Sequence, residues 1–287
     1  MLDLLAEVRD DIDLDLRAAH FDHGLREGSR AEAARLSEYC RSLGVPCLQR
    51  RASGLRPRQN ELREARYRFL REAAAGAGAE TVALAHTMDD QRETVLINMM
   101  RGSGFRGCAG MRERSGILAR PVLGFTRRSL RQHLGSRSIR WTTDPANSDP
   151  VYRRVRVRAS VDPALSDASG GAWAAAAQRL ARDCRTVDDA LEARTAELLR
   201  AALGRDGTCS AEAWKGVAVS DQARMLRQLA RNRGRRLTRR STLNGVAFLG
   251  KGSPGSVDLG GGLRLHLAQA RGGRLWLEAA PADGGPG

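Results

Sequence analysis

The first half of the chain reads as alternating apolar and polar blocks. Leu2, Leu4, Leu5 and Val8 recur at largely helical spacing before the polar Asp10-Asp11 pair, predicting a short helix over residues 1–9. Leu14 to Phe21 predicts a strand closed by Gly24, and Ser29 and Gly44 bracket a helix as N-cap and stop. Val45–Arg51 predicts a second strand, Glu61–Ala75 a helix, Thr81–Ala85 a compact apolar strand, Asp89–Met100 a helix and Ile117–Leu123 another short strand. Strands alternating with helices of about 10–15 residues predict an α/β fold with a doubly wound, mainly parallel sheet. Ligands bind such sheets at the carboxyl ends of the strands, so residues 20–26 and 86–94 should line one crevice.

A composition shift over Pro163–Gly171 ends this region, giving an expected first domain of residues 1–163. Ala172–Leu203 and Asp221–Gly234 predict helices, so residues 164–240 form an expected helical accessory region. Val257, Leu259, Leu263, Leu265, Leu267, Leu275 and Leu277 alternate between glycines. That pattern predicts a β-hairpin or three-strand unit in a small β tail over residues 241–287, ending in a loose Pro281–Gly287.

Composition narrows the partners. A hydrophobic share of 41% can bury a core and excludes a wholly disordered chain. The formal net charge of +15 attracts polyanions, which makes nucleic acid the first partner to consider. The five cysteines are scattered and never form a Cys-x-x-Cys pair, which argues against a disulfide framework and a thiolate zinc site. No run of about 18 apolar residues predicts a transmembrane helix. The acidic N-terminus is unlike a signal peptide, so no membrane association and a cytoplasmic location are expected.

The segment His86-Thr87-Met88-Asp89-Asp90-Gln91-Arg92-Glu93-Thr94 carries the sharpest chemistry, directly after a strand and opening a helix. Adjacent carboxylates there can hold Mg²⁺ against a phosphate chain, which makes Asp89 and Asp90 the metal candidates. Glu93 follows at helical spacing on the same side. Acidic residues complementing a helix dipole are the plainer reading. Arg101-Gly102-Ser103-Gly104, at the end of that helix, is either an ordinary C-cap or a backbone approach to phosphate. Arg153, Arg154, Arg156 and Arg158 form an alternating basic stretch suited to phosphate contact or to a solvated face. Arg231–Arg240 is either a nucleic-acid backbone patch or a helix-terminal basic cap.

Five segments occur in a telling order: His20-Phe21-Asp22-His23-Gly24-Leu25-Arg26, His86–Thr94, Arg101–Gly104, Arg120-Pro121, and Trp141 with Asp144 and Asn147. In this the chain resembles tRNA(Ile)-lysidine synthetases of the PP-loop, or N-type ATP pyrophosphatase, superfamily, strongly over residues 1–165 and more loosely beyond. The resemblance implies a carbon–nitrogen ligase that adenylates the C2 oxygen of the wobble cytidine of a CAU-anticodon tRNA(Ile) with ATP. The side-chain amine of free lysine then displaces AMP to form lysidine. It implies ATP and Mg²⁺ as co-substrate and cofactor, and it allows a homodimer. By position, His86, Asp89, Asp90 and Glu93 are the catalytic candidates, with Glu93 for the lysine. His20, Asp22, His23, Arg101, Gly102, Ser103 and Gly104 fall beside ATP, and Arg120, Arg153, Arg154, Arg156 and Arg158 beside substrate or tRNA. Many members carry Asn where this chain has Val155, so no role transfers there. A sister PP-loop tRNA-modifying enzyme and a catalytically inactive tRNA-binding relative are the alternatives.

The family's Ser-Gly-Gly-x-Asp-Ser phosphate loop does not precede the first helix. Ser169-Gly170-Gly171 lacks the Asp-Ser and reads as linker. The expectation is therefore an upstream start or a fragment, and a chain as written that binds ATP poorly and melts early.

Overall fold

A computed structural model describes residues 1–24, 28–52, 59–142, 149–268 and 273–279. Leu25, Arg26, Asp144, Asn147 and the expected loose end lie outside the described residues. The chain divides into two compact units, Met1–Arg185 and Thr186–Gly287. The first contains α1 (Leu2–Val8), β1 (Ala18–Asp22), α2 (Ser29–Ser42), β2 (Cys47–Arg51), α3 (Gln59–Gly76), β3 (Val82–Ala83) and α4 (Met88–Met100). It continues with α5 (Phe105–Cys108), β4 (Arg114–Ser115), β5 (Leu118–Ala119), α6 (Arg127–Ser136), α7 (Arg153–Arg156), a π-helical turn (Val157–Val161) and α8 (Asp162–Ala168). Helix α9 (Trp173–Ala202) runs through the boundary.

The expected parallel pairing is present: β1 pairs with β2 from Ala18↔Cys47 to Asp22↔Arg51, and β3 pairs with β5. These strands fall in two short sheets, β1-β2 and β3-β5-β4, the last strand antiparallel. The strand expected from Leu14 begins only at Ala18. Leu14 donates back to the Arg9 carbonyl at 2.8 Å and prolongs the turn after α1, and pairing starts where Ala18 N–H reaches Pro46 O, also at 2.8 Å. The strand expected to reach Leu123 stops at Ala119, because Leu123 N–H turns back to Arg120 O at 3.1 Å.

The basic stretch of residues 153–158, left without a secondary structure by the sequence, is resolved by the fold. It is helical, α7 running into the π turn, so Arg154 and Arg158 sit one turn apart on one side. Buried apolar side chains of this unit include Tyr67 and Phe69 of α3, Val95 and Leu96 of α4 and Val157 of the π turn. Phe21 of β1 packs on Phe69 with ring centroids 5.6 Å apart.

The second unit contains β6 (Cys209–Ser210), α10 (Ala211–Lys215), α11 (Val219–Asn232), α12 (Arg239–Lys251), β7 (Gly255–Gly260), β8 (Leu263–Ala268) and β9 (Arg274–Ala279). Its sheet is antiparallel in the order β6-β9-β8-β7. Leu263, Leu265 and Leu267 alternate inward along β8, as a half-buried strand requires. They meet Met225, Leu226 and Leu229 of α11 in one core. The three-strand tail expected from the leucine spacing is present as β7-β8-β9, with a fourth strand, β6, added at the edge.

Candidate active site

Helix α4 presents the acidic segment. Thr87 is its N-cap, and the two residues form a reciprocal capping box. Thr87 N–H and Oγ1–H donate to Asp90 Oδ2 at 2.9 and 2.8 Å, while Asp90 N–H reaches Thr87 Oγ1 at 3.4 Å. The neighbouring Asp89 is held from two sides. Arg127 N–H, at the start of α6, donates to Oδ2 at 2.6 Å, and Arg92 Nη2 donates to Oδ1 at 3.1 Å. Burial raises the Asp90 pKa, but the Thr87 hydrogen bonds and the charges of Arg127 and Arg154 outweigh it and hold the carboxyl below its ordinary value.

Glu93 is 1% exposed and surrounded by guanidinium groups. Arg158 donates from Nε to Oε1 at 2.7 Å and from Nη2 to Oε2 at 3.2 Å. Arg154 Nε lies 3.1 Å from Oε2 without hydrogen-bond geometry, and Arg154 Nη2 instead donates to Thr94 Oγ1 at 2.8 Å. Arg127 Nη2 spans Asp90 Oδ1 at 3.2 Å and Glu93 Oε1 at 3.7 Å, so these two carboxylates face one cation. Arg92 continues the network to Asp162 at 3.2 Å, which also accepts from Trp173 Nε1 at 2.8 Å.

His86 stands just before the cap. Burial pushes its pKa down to about 4; Asp90 opposes this, and the charges of Arg120, Arg63 and Arg154 add to it. The ring is therefore neutral near pH 7. Its Nδ1 accepts from Arg120 Nε at 3.3 Å, which leaves the proton on Nε2. Arg120 is itself buried and donates to Arg112 O at 2.6 Å, so it lies against His86.

The other sequence candidates sit apart from this network. Asp22 is buried and accepts from Gly24 N–H at 2.8 Å and Ser29 Oγ at 3.1 Å, with Arg51 3.1 Å away. Gly24 has φ +69°, and a Cβ there would lie 2.9 Å from Ala52 O, so this turn requires glycine. His23 packs edge-on against Phe21 at 5.0 Å, and His20 lies on the same strand. Arg101–Gly104 forms the turn from α4 into α5, with Gly102 at φ +67° and its N–H on Met99 O at 2.9 Å. Arg153 and Arg156 are not among the ion-pair partners of Glu93; Arg156 donates to Pro150 O and Val151 O at 2.7 and 2.9 Å.

Several residues escaped the sequence reading. Arg92 and Arg127 are central to the carboxylate network, and the i−1 position of Arg92 before Glu93 was the only local signal. Arg63 and Arg66 of α3 are the others. Arg63 Nη2 donates to Tyr67 Oη at 3.0 Å, and both guanidinium groups stack on the Tyr67 ring. Burial, reinforced by Arg63 and Arg154, pushes the Arg66 pKa below its ordinary value. Among the described residues no carboxylate lies within ion-pair distance of Arg63, Arg66 or Arg120. The site thus carries neutralised carboxylates beside a surplus of positive charge.

Comparison with known proteins identifies the family. The PP-loop domain family matches residues 1–165. A tRNA(Ile)-lysidine synthase of Salinispora tropica is 37% identical over 257 residues, covering 85% of this chain and 77% of the relative. One from Rhodopseudomonas palustris is 41% identical over 225 residues, covering 74% and 64%. Among solved structures, the U34-tRNA thiolase NcsA of Methanococcus maripaludis, with its 4Fe-4S cluster, superposes with a TM-score of 0.52 at 12% identity, covering 63% of this chain and 67% of that one. This last likeness shows the fold. No helix among the described residues is long and apolar enough to cross a membrane. By the extent and identity of these matches, the chain belongs to the tRNA(Ile)-lysidine synthase family of PP-loop ligases.

Proposed function

We propose that the α4 N-terminus and its arginine cluster form the centre at which lysine is joined to C2 of the wobble cytidine of a CAU-anticodon tRNA(Ile), through an ATP-adenylated tRNA. The observation that carries this reading is the pairing of buried Glu93 with Arg154 and Arg158, next to ionised Asp90 and neutral His86. The charges of Arg63, Arg66 and Arg120, which meet no carboxylate among the described residues, suit phosphate, whether of ATP or of the tRNA backbone.

The second step needs a neutral amine, although free lysine has a pKa of about 10.4. Glu93 is the group to receive that ammonium. Arg158 holds it with two hydrogen bonds, whereas Arg154 Nε is off hydrogen-bond geometry and is the partner a lysine ammonium displaces. The surrounding guanidinium groups disfavour the charged amine, and the Glu93 carboxylate accepts the proton it gives up. His86 Nε2–H is the neutral donor at the rim, free of the charge that would repel an incoming cation.

Asp89 and Asp90 are chemically suited to Mg²⁺, being adjacent hard oxygen donors, with Asp90 held ionised. When bound there, the ion supplies charge neutralisation to the phosphate chain. Arg127 donates its backbone N–H to Asp89 and its guanidinium to Asp90, so at Asp90 it is the cation that Mg²⁺ would relieve. A tRNA substrate makes the cytoplasm the working compartment.

The test is transfer of labelled lysine into a CAU-anticodon tRNA(Ile) transcript, with ATP raised until the rate stops rising. ATP-dependent label that is lost in Glu93→Gln and Asp90→Asn supports the reading. Label that persists in both variants overturns the assignment to this site.

A further inference from the structure

Helix α9 meets the segment beyond α4 through two consecutive residues, Cys184 and Arg185, all within the first unit. Arg185 Nη2 donates to Ala109 O at 3.2 Å and to Met111 O at 2.9 Å, which clamps α9 onto the chain just past α5. One residue earlier, the Cys184 thiol lies in hydrogen-bond contact with the Cys108 thiol at the end of α5. Cys108 S–H is directed at Ser103 O at 3.5 Å, and Asn98 Nδ2 braces the same turn by donating to Gly107 O at 2.8 Å. The residue next to each sulfur is therefore pinned, and the two thiols are held against each other. Cys108 is partly exposed, whereas Cys184 is buried. Burial pushes the Cys184 thiol above its ordinary pKa, so it is poorly reactive until a neighbour is activated. The lysine-transfer reading uses neither cysteine. A pair that only the fold brings together also has no Cys-x-x-Cys signature in the sequence.

We propose that Cys108 and Cys184 are a modification site, a dithiol that hydrogen peroxide closes reversibly into a disulfide tying α9 to α5. Oxidation starts at the accessible sulfur. The Cys108 thiolate attacks one peroxide oxygen, the O–O bond breaks, and a sulfenic acid forms while the departing hydroxide takes up the thiol proton as water. The Cys184 sulfur then attacks the Cys108 sulfur, the S–S bond forms, and the sulfenic oxygen leaves with the Cys184 proton as a second water. Two thiols lose two electrons in all, and one peroxide gains them. Closure shortens the sulfur contact to about 2.05 Å and takes the Cys108 donor away from Ser103 O, so its effect reaches the turn that ends α4. In a reducing compartment the pair rests as thiols and closes only transiently, as redox-sensing pairs do.

The experiment exposes the folded full chain to a small molar excess of hydrogen peroxide, blocks the remaining thiols, and maps disulfides by mass spectrometry of a non-reducing digest. The peptide linking Cys108 to Cys184 is expected as the main disulfide of Cys108, and dithiothreitol should abolish it. In Cys108→Ser, which alters the partly exposed partner, Cys184 should remain a thiol under the same exposure. In Cys184→Ser, Cys108 should pass to sulfinic acid that dithiothreitol does not recover. The same treatment in urea should reduce the Cys108–Cys184 link to the level of the other pairings, because the fold no longer selects it. A wild-type Cys108 that stays a thiol, or reaches sulfinic acid with no linked peptide, overturns the proposal. So does a Cys108 that pairs as readily with Cys40, Cys47 or Cys209 in the folded chain. None of these readouts depends on lysine transfer, so the outcome is independent of the α4 site.

Discussion

Arg158 grips Glu93 through two hydrogen bonds, Nε to Oε1 at 2.7 Å and Nη2 to Oε2 at 3.2 Å, across a 65-residue separation. The contact ties the π-helical turn to α4 and holds the most deeply buried carboxylate of the site. Glu93→Gln removes the charge but leaves Arg154 and Arg158 facing each other. Breaking one partner of a buried pair costs about 3–5 kcal/mol. Urea unfolding should show a loss of that order in Glu93→Gln, with the Arg158→Gln, Glu93→Gln double variant recovering part of it. Equal, additive losses would mean the two side chains act independently.

His86 makes stability depend on pH in a window of its own. Its folded pKa, about 4, lies below the ordinary 6.5, so the unfolded chain binds a proton that the folded chain does not between those values. Stability is therefore complete above pH 6.5 and falls as pH drops toward 4, by at most about 1.4 kcal/mol per pH unit. Asp90, Asp3 and Asp22 have lowered pKa values, and their contributions are lost only at more acid pH. Thermal melts between these limits should show the slope in the wild type and flatten it in His86→Gln.

Thr87 joins helix geometry to the site. Thr87→Ala loses the N-cap, worth about 1 kcal/mol, and frees Asp90 Oδ2 from the hydroxyl. The melting temperature should fall slightly, while lysine transfer falls more than that loss explains. Thr87→Ser keeps the hydroxyl and should restore both.

Charge surplus at Arg63 and Arg66 predicts salt-sensitive tRNA binding. The log–log dependence of affinity on salt should be steep, and its slope should shrink by roughly one for each arginine that contacts phosphate and is removed. Filter binding of Arg66→Ala across a salt series measures this. An unchanged slope would mean Arg66 serves only Tyr67.

In the second unit, Leu265→Ala at a fully buried position should cost about 2–5 kcal/mol. Urea denaturation is the check. A loss below about 1 kcal/mol would mean the β8 core is loosely packed.

Much of this was legible in the sequence, for reasons that differ by element. Gly44 and the Glu61–Ala75 spacing marked the end of α2 and the course of α3 because stops and helical periodicity are local signals, whereas Ser29, expected as N-cap, is the first helical residue after Gly28 and turns its hydroxyl to Asp22 instead. The alternating leucines of β8 and β9 were equally plain. The carboxylates of α4 were found because adjacency and helical spacing put them on one face. Their partners were not: Arg127, Arg154 and Arg158 reach Glu93 from 34 to 65 residues away. Arg154 and Arg158 stood in a marked basic stretch and Arg127 did not, but nothing in the spacing linked any of them to Glu93. Arg153–Arg158 carried no secondary-structure signal of its own, since alternating arginines fit a solvated face in either conformation, and the structure makes the segment helical.

The central claim is that Glu93, poised between Arg154 and Arg158, receives the lysine to be joined to tRNA. The most direct measurement is the rate of ATP-dependent lysine transfer to CAU-anticodon tRNA(Ile) against lysine concentration, at saturating ATP, in wild type and Glu93→Gln. The account predicts that Glu93→Gln raises the lysine concentration needed for half-maximal rate by at least about tenfold while tRNA affinity stays near wild type. An unchanged lysine dependence in Glu93→Gln would contradict it.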